Sequence, residues 1–462
     1  MYFEQIVAEG LGCFSYAVGC PAAGEMCVVD PRRDVQVYLD IARERGMRLT
    51  RVIDTHVHAD HVSGAHELAY ATGAALCMYH SSPVEFPFNP LREGDTFSMG
   101  VARVTVLRTP GHTPDALSLL VADTARSAEP WILLSGDLLF VGDVGRPDLA
   151  GSEHMDEQVQ NLHASLYSTL EGLPSHLAVY PAHGAGSLCG RGMSPLRSTT
   201  LGFERLANPM LRLPDFAAFR KAVTTALPAR PKSFTRIIAI NRKGAPLLDR
   251  CPLDKALNPD RFASLREAGA TVIDTRDAAA FGGAHIPGSL NIGFEPSIAN
   301  WTGMVVDPDA SLLLVVENRG RYEAMRTELH RIGYDNILGW LAGGLSGWIS
   351  GGRPVDRLTQ TSAAEVRLLL DRGPAPRLVD VRTAQEWESG HLPGALHRPI
   401  ADIVTAGLEL RGDQPLVLYC GSGYRSNIAA SLLSRKGFAD VRSLAGGITA
   451  WRSAGYPVQK DS

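Results

Sequence analysis

The heptapeptide Thr55-His56-Val57-His58-Ala59-Asp60-His61 sets three histidines and an aspartate within six consecutive positions. Before it, Leu49-Thr50-Arg51-Val52-Ile53-Asp54 reads as a short buried strand; after it, Ser63 to Thr72 reads as a helix. A strand that empties into a polar loop and then a helix delivers side chains to the carboxyl end of a sheet, where open α/β folds bind ligands. Neutral imidazole and carboxylate suit zinc, iron and similar ions. A single histidine is ordinarily a packed or surface residue. Four ligand-type side chains at this spacing predict a metal site.

The surrounding chain has 462 residues, a length that suggests about three domains. Its 45% hydrophobic and 20% charged content is that of a globular chain with apolar material for several cores. A net charge of -4 without a basic run argues against a nucleic-acid binder. No apolar stretch approaches the roughly 20 residues a membrane helix needs. The segment Met1-Tyr2-Phe3-Glu4-Gln5 carries an acid and no basic cluster, unlike a secretory signal. Seven cysteines without a Cys-x-x-Cys pair do not form a disulfide framework. A cytoplasmic location is the expectation; homo-oligomerisation stays open.

Further strands are expected at Ser15 to Val18 and Met26 to Asp30, with a helix from Val35 to Arg45. Cys13, Cys20 and Cys27 lie in or beside the strands and read as buried structural thiols. Val101 to Thr109 alternates like a strand and runs into Pro110-Gly111-His112-Thr113. Trp131 to Ser135 leads to Gly136-Asp137, and His176 to Tyr180 leads to Pro181-Ala182-His183-Gly184. Ligand-type residues thus recur just past strands, and convergence on one pocket is the simplest explanation.

In this order, His-x-His-x-Asp-His, Gly-His-Thr, Gly-Asp and Pro-Ala-His-Gly resemble the metallo-β-lactamase fold, over residues 1–250. The resemblance implies an αββα sandwich with metals at one edge. Gly136-Asp137-Leu138-Leu139-Phe140 with Gly145-Arg146-Pro147-Asp148-Leu149 further resembles the glyoxalase II and persulfide dioxygenase branch, which handles glutathione-type thiols.

The remainder repeats itself. Val272-Ile273-Asp274-Thr275-Arg276 recurs as Leu378-Val379-Asp380-Val381-Arg382. Ala284-His285-Ile286-Pro287-Gly288 recurs as Gly390-His391-Leu392-Pro393-Gly394, and Ala342-Gly343-Gly344 recurs as Ala445-Gly446-Gly447. Strand-helix alternation predicts α/β domains with parallel sheets. Both repeats resemble the rhodanese (sulfurtransferase) domain. The expected organisation is α/β multidomain, with domains at 1–250, 251–356 and 357–462.

In the last domain, the strand Leu416 to Tyr419 ends at Cys420-Gly421-Ser422-Gly423-Tyr424-Arg425, and a helix is expected from Asn427 to Lys436. Backbone N–H groups at a helix start stabilise anions and lower a thiol pKa. Cys420 is therefore a candidate nucleophile toward sulfane sulfur, with Gly421, Ser422, Gly423, Tyr424 and Arg425 as its cradle. The four residues between Cys420 and Arg425 match the rhodanese loop, whereas the related phosphatases use a longer one. Aligning Leu312-Leu313-Leu314-Val315 with that strand puts Val316 opposite Cys420 and Arg321 opposite Arg425. Valine cannot be a nucleophile, so the middle domain is expected to be catalytically silent, a spacer or docking surface.

The ligand inventory leaves two readings. His56, His58, Asp60, His61, His112, Asp137 and His183 would suffice for two zinc ions, as in a glyoxalase II-like thioester hydrolase. His56, His112 and Asp137 alone would form a two-histidine, one-carboxylate triad suited to one Fe(II). The chain as a whole resembles persulfide dioxygenase-rhodanese fusions. That implies Fe(II) on His56, His112 and Asp137, with His58, Asp60, His61 and His183 as supporting groups. It also implies oxidation of a low-molecular-weight persulfide such as glutathione persulfide by O2 to sulfite and thiol. Cys420 would exchange sulfur among persulfide, sulfite, thiosulfate and glutathione or another thiol. Arg146 is a candidate grip for a substrate carboxylate, or else pairs with Asp148. Cys189, six positions after His183, is a candidate sulfur carrier or sensor.

Overall fold

Ala102, Val104 and Val106 are buried on one face of their strand while Arg103, Thr105 and Leu107 are less so, the period-two pattern of a sheet with one face on a core. The computed structural model describes residues 1–462 except 214, 226, 228, 249–255, 373–374, 408–414 and 461–462. It resolves two compact units, Met1–Cys251 with Leu329–Gly333, and Pro252–Glu328 with Tyr334–Ser462. The expected boundary at 250/251 lies outside the described residues.

The first unit holds two six-stranded sheets. One is β1 (Tyr2–Ala8), β2 (Cys13–Cys20), β3 (Glu25–Val29), β4 (Arg48–Ile53), β5 (Ala75–Tyr79) and β6 (Asn89–Leu91), side by side in chain order. The other comprises β7 (Thr96–Met99), β8 (Ala102–Arg108), β9 (Leu117–Asp123), β10 (Ile132–Gly136), β11 (Ala178–Pro181) and β12 (Thr199–Thr200). Tyr16, Val18, Val29 and Ile53 of the first sheet pack on Val104, Val106, Leu119 and Leu134 of the second. Tyr38, Ile41 and Leu68, on the helices Gln36–Glu44 and Ala65–Thr72, cover the outer face of the first sheet. Val159, Leu162 and Phe219, on the helices Met155–Ala164 and Phe216–Thr224, cover the outer face of the second. This is the expected αββα sandwich. Each face is apolar because each is sealed, and His56, His58, Asp60, His61, His112, Asp137 and His183 lie beyond the strand ends.

The second unit holds two five-stranded parallel sheets. The first comprises β13 (Ala256–Leu257), β14 (Thr271–Asp274), β15 (Leu290–Asn291), β16 (Leu312–Val315) and β17 (Ile337–Leu341), in the order β13-β17-β16-β14-β15. The second comprises β18 (Thr359–Thr361), β19 (Arg377–Asp380), β20 (Leu396–His397), β21 (Leu416–Tyr419) and β22 (Val441–Leu444), in the same permutation. Val316 follows β16 where Cys420 follows β21, so the two residues hold equivalent places. The helix after Cys420 runs Tyr424–Arg435, beginning three residues earlier than expected. Gly423, at φ 104°, makes the turn that a side chain would resist, and the helix starts at once.

The repeated Asp-x-Arg motif now has a cause. Asp380 and Arg382 pair at 2.6 Å with side chains 0% and 3% exposed, and Arg382 also donates to Gly390 O at 2.9 Å. Asp274 and Arg276 repeat the pair at 2.6 Å, with Arg276 15% exposed, and Arg276 reaches Ala284 O at 2.8 Å. Each pair ties a strand end to the loop leading into the next strand. Removing one partner of a buried pair costs about 3–5 kcal/mol because the other charge is left uncompensated. Asp380→Asn is expected to lower the thermal midpoint and the amide protection of β19 and β21. Asp274→Asn is expected to have a smaller effect in its own sheet, because Arg276 keeps more water.

Candidate functional site

The four loops expected to converge do so. His56, His58, Asp60 and His61 follow β4, His112 follows β8, Asp137 follows β10 and His183 follows β11, all buried. Gly111 has φ 143°, and a Cβ there would run into the backbone of Leu162, so only glycine lets the His112 loop lie this close to the helix Met155–Ala164.

Hydrogen-bond accounting divides the cluster. His112 Nδ1 is 2.9 Å from Arg146 O; a carbonyl only accepts, so Nδ1 carries the proton and Nε2 a bare lone pair. Thr55 Oγ1 donates to Asp30 Oδ2 at 2.9 Å and lies 2.9 Å from His56 Nδ1. The hydroxyl has one proton, committed to the carboxylate, so His56 Nδ1–H donates to it and His56 Nε2 is bare as well. Burial, then the neighbouring His58, hold the His56 pKa well below the usual imidazole range; burial lowers that of His112 too. His56 Nε2, His112 Nε2 and Asp137 Oδ2 are buried without a hydrogen-bond partner. The ligand atoms of these three residues lie within 4.8 Å of one another, with Asp137 Oδ2 3.1 Å from His112 Nε2 and 3.9 Å from His56 Nε2. Partnerless buried acceptors are costly. Three that converge fit a cation.

Among the neighbouring groups, His58 Nδ1 and His61 Nε2 are likewise buried without a hydrogen-bond partner, whereas His183 is bonded on both sides. His183 Nδ1 lies 2.6 Å from Asp137 Oδ1 and Nε2 lies 2.7 Å from Asp60 Oδ2. With carboxylates on both sides, both ring nitrogens donate. Burial opposes that charge, but Asp137 and Asp60 outweigh it and raise the His183 pKa well above the usual range. Burial likewise opposes ionisation of Asp137, yet His183 and His112 hold its carboxyl below the usual range. His58 turns its Nε2 toward Asp30 at 3.2 Å and groups with Asp30 and Asp54. Cys13, Asp60, His61 and His183 form a second set of ligand atoms within 4.8 Å. Cys13, read as a structural thiol, donates to Asp60 Oδ2 at 3.1 Å.

Two candidate substrate residues, Arg146 and Cys189, are both buried. Arg146, 3% exposed, closes both arms on Asp148 at 2.6 Å each and reaches Leu188 O at 3.1 Å. The guanidinium shapes the loop whose carbonyl fixes His112, which is the pairing with Asp148 that the sequence offered as one alternative. Cys189 is 1% exposed, and burial pushes its thiol pKa far up, the opposite of what a sulfur carrier needs.

Asn241, absent from the expected site, clamps the histidine loop. Its Nδ2 donates to His58 O at 2.8 Å and His61 O at 2.9 Å, while its Oδ1 accepts from Ser63 N–H at 3.0 Å. Asp30 and Thr55 were also unforeseen. Only the position of Asp30 at a strand end hinted at it.

At the cysteine loop, Gly423 N–H donates to Cys420 Sγ at 3.2 Å. The loop carbonyls Cys420 O and Gly421 O accept from Ile448 N–H at 2.8 Å and Thr449 N–H at 3.2 Å. A Cβ on Gly447 would collide with Cys420 O, which explains the second glycine of Ala445-Gly446-Gly447. Arg425 reaches toward Cys420 as expected and is also held by Glu386 through two bonds of 2.7 and 2.6 Å. Glu386 closes a capping box with Thr383, a Thr-x-x-Glu pattern visible in the sequence.

Residues 11–183 match the metallo-beta-lactamase superfamily, and 258–350 and 362–454 each match the rhodanese-like domain. The chain belongs to the metallo-beta-lactamase superfamily and carries two rhodanese-like domains. A superfamily fold of this kind implies a metal, in keeping with the His and Asp clusters. A hydroxyacylglutathione hydrolase of Polaromonas sp. is 34% identical over 173 residues, 37% of this chain; the chain spans 61% of that relative's length. The mitochondrial persulfide dioxygenase ETHE1 of Homo sapiens is 26% identical over 212 residues, 44% of this chain and 74% of its own. A metallo-beta-lactamase crystal structure from Staphylococcus aureus subsp. aureus COL is similar over 73% of this chain and 98% of its own, at 29% identity and a TM-score of 0.67. Among the described residues of this superfamily member, no helix is long and apolar enough to cross a membrane.

Two expectations follow. Thr55→Val severs the link from Asp30 to His56, and metal affinity, read by chelator competition, is expected to fall about 10- to 100-fold. Glu386 is held at about 2 against an ordinary 4.5: burial opposes ionisation, and Arg425 outweighs it. A depressed acid stabilises the fold above its unfolded pKa and stops doing so as pH falls through the folded one. The stability gap between the native protein and Glu386→Gln is therefore expected to be full above pH 4.5 and to close by about 2, in acid titrations followed by circular dichroism.

Proposed function

We propose that the first domain is an iron-dependent dioxygenase of a low-molecular-weight persulfide, glutathione persulfide or a relative, and that Cys420 transfers sulfane sulfur in the last domain. The observation that carries the first half is the trio of converging, partnerless ligand atoms on His56, His112 and Asp137. This is a two-histidine, one-carboxylate set, the donor chemistry of non-heme Fe(II). Bound there, Fe(II) supplies open positions for O2 and a substrate sulfur. Persulfide, O2 and water enter; thiol, sulfite and protons leave.

The chain's own residues hold the site ready. Asp30 through Thr55, and Arg146 O directly, fix the histidine tautomers with Nε2 bare. His183 occupies Asp137 Oδ1 and leaves Oδ2 as the single ligand atom. In the last domain, Cys420 takes up sulfane sulfur and passes it to sulfite, giving thiosulfate, or runs the exchange from thiosulfate to a thiol. Kinship with persulfide dioxygenases and with rhodanese-like domains supports both halves. We further propose three domains, 1–250, 251–356 and 357–462, with the middle one silent because Val316 stands in the nucleophile's place.

A second reading, a dizinc thioester hydrolase, is favoured by the set Cys13, Asp60, His61 and His183 and by the hydroxyacylglutathione hydrolase relatives. Metal analysis of anaerobically purified protein separates the two. One iron per chain with persulfide-dependent O2 uptake is expected; two zinc per chain without uptake would sink the dioxygenase. Cys420→Ser is expected to keep O2 uptake and lose thiosulfate formation, read by oxygen electrode and by thiosulfate assay.

A further inference from the structure

The middle domain grips the helix that follows Cys420. Tyr424 Oη donates to Gly293 O at 2.9 Å, and Asn291 N–H donates to Ser431 Oγ at 3.1 Å. Asn427 Nδ2 donates to Asn291 Oδ1 and, from β18, Gln360 Nε2 donates to Asn427 Oδ1 at 2.7 Å. Asn427 is 1% exposed and Ser431 is 2% exposed, so this is a sealed polar seam. A domain retained as a mere spacer has no need to hold this helix.

Beside the seam lies a cavity of about 390 Å³, with walls from both rhodanese-like domains. That is the size of a small-molecule site, for which roughly 300–1,000 Å³ is usual. Ser422 and Gly423 of the cysteine loop form one side. Cys420 itself is 1% exposed and is not part of the wall; Gly423 is the link to it, because its N–H bonds Cys420 Sγ. The middle domain contributes Asp277, Glu295, Glu317 and Arg321. The Arg321 guanidinium sits 4.1 Å over the Phe294 ring and 3.4 Å from Glu317. Three carboxylates and one guanidinium disfavour a polyanionic carrier. They suit a zwitterion, with a carboxylate for the Arg fork and an ammonium for the acids.

We propose that this cavity recognises the sulfur acceptor, and that the acceptor is a small thiol bearing an α-amino acid group. Its carboxylate meets Arg321, its ammonium faces Asp277 and Glu295, and its sulfur lies toward Ser422 and Gly423 of the cysteine loop. The middle domain, without a nucleophile of its own, thereby sets acceptor specificity for its neighbour. The inference rests on the sulfur-transfer reading of Cys420. In the transfer step the acceptor sulfur attacks the outer sulfur of the Cys420 persulfide. A new S–S bond forms, the bond to Sγ breaks with its electron pair, and Cys420 leaves as thiolate. The proton of the acceptor thiol ends on the new persulfide, and no oxidant is consumed.

The test is steady-state transfer from thiosulfate to glutathione and to cyanide, an acceptor with neither charged group, in the full-length protein and in Arg321→Ala. The ratio of kcat/KM for glutathione to that for cyanide is expected to fall on the order of tenfold, the lower end for a charged hydrogen bond at a partly exposed site. The loss is expected in KM, with kcat for glutathione retained, and Arg321→Lys is expected to recover part of it. An unchanged ratio, whether both acceptors suffer equally or neither does, overturns the proposal. Failure of the underlying reading looks different: native protein treated with thiosulfate would show no mass gain of one sulfur atom on Cys420.

Discussion

Asp137 is the carboxylate on which the buried cluster turns. One of its oxygens is taken by His183 and the other faces two bare imidazole nitrogens. Both arrangements depend on burial. In water each of these contacts would compete with solvent, and no lone pair would be kept waiting. Here the αββα core excludes water from beneath the site, and every proton has an assigned owner. Asp30 fixes the proton of Thr55, Thr55 fixes that of His56, and Arg146 O fixes that of His112. A cluster that in sequence offered seven ligands thereby holds a trio open to a cation beside a second group, in which His183 and Asp60 are hydrogen-bonded while His58 Nδ1 and His61 Nε2 have no partner.

The second unit solves a related problem with different means. Cys420 sits at the end of a buried strand, and its loop is held from behind by N–H groups of the helix Gly447–Ser453. Arg425, the only cation of the loop, is anchored by Glu386 rather than left to swing. The same strand order in the middle domain, with Val316 in the equivalent place, shows that the scaffold persists when the nucleophile is gone. What remains useful in that scaffold is its surface against the neighbouring helix.

Much of this was legible in the chain itself. Strand ends could be read because short, largely apolar runs stop abruptly at Thr55, Pro110, Gly136 and Pro181, and the ligand residues follow at once. The paired domains could be read because Asp-x-Arg and Ala-Gly-Gly recur in step. Asn241 could not be read, because it acts on His58 and His61 across 183 and 180 positions of sequence through side-chain bonds that leave no periodic trace. Arg146 could be assigned to either of two partners until Asp148 was seen on both arms. The start of the helix after Cys420 is not legible in the sequence, because Tyr424 and Arg425 fit the cradle equally well, whereas in the structure Gly423 alone completes the turn.

The Asn241 clamp also bears on how such a protein can be taken apart. The superfamily match ends at residue 183, yet the backbone of the histidine loop is satisfied by a side chain on the helix Lys232–Lys243. A fragment cut where the family resemblance stops would leave the carbonyls of His58 and His61 without that donor. A fragment that keeps these two carbonyls satisfied has to extend through Asn241, well past the end of the family match.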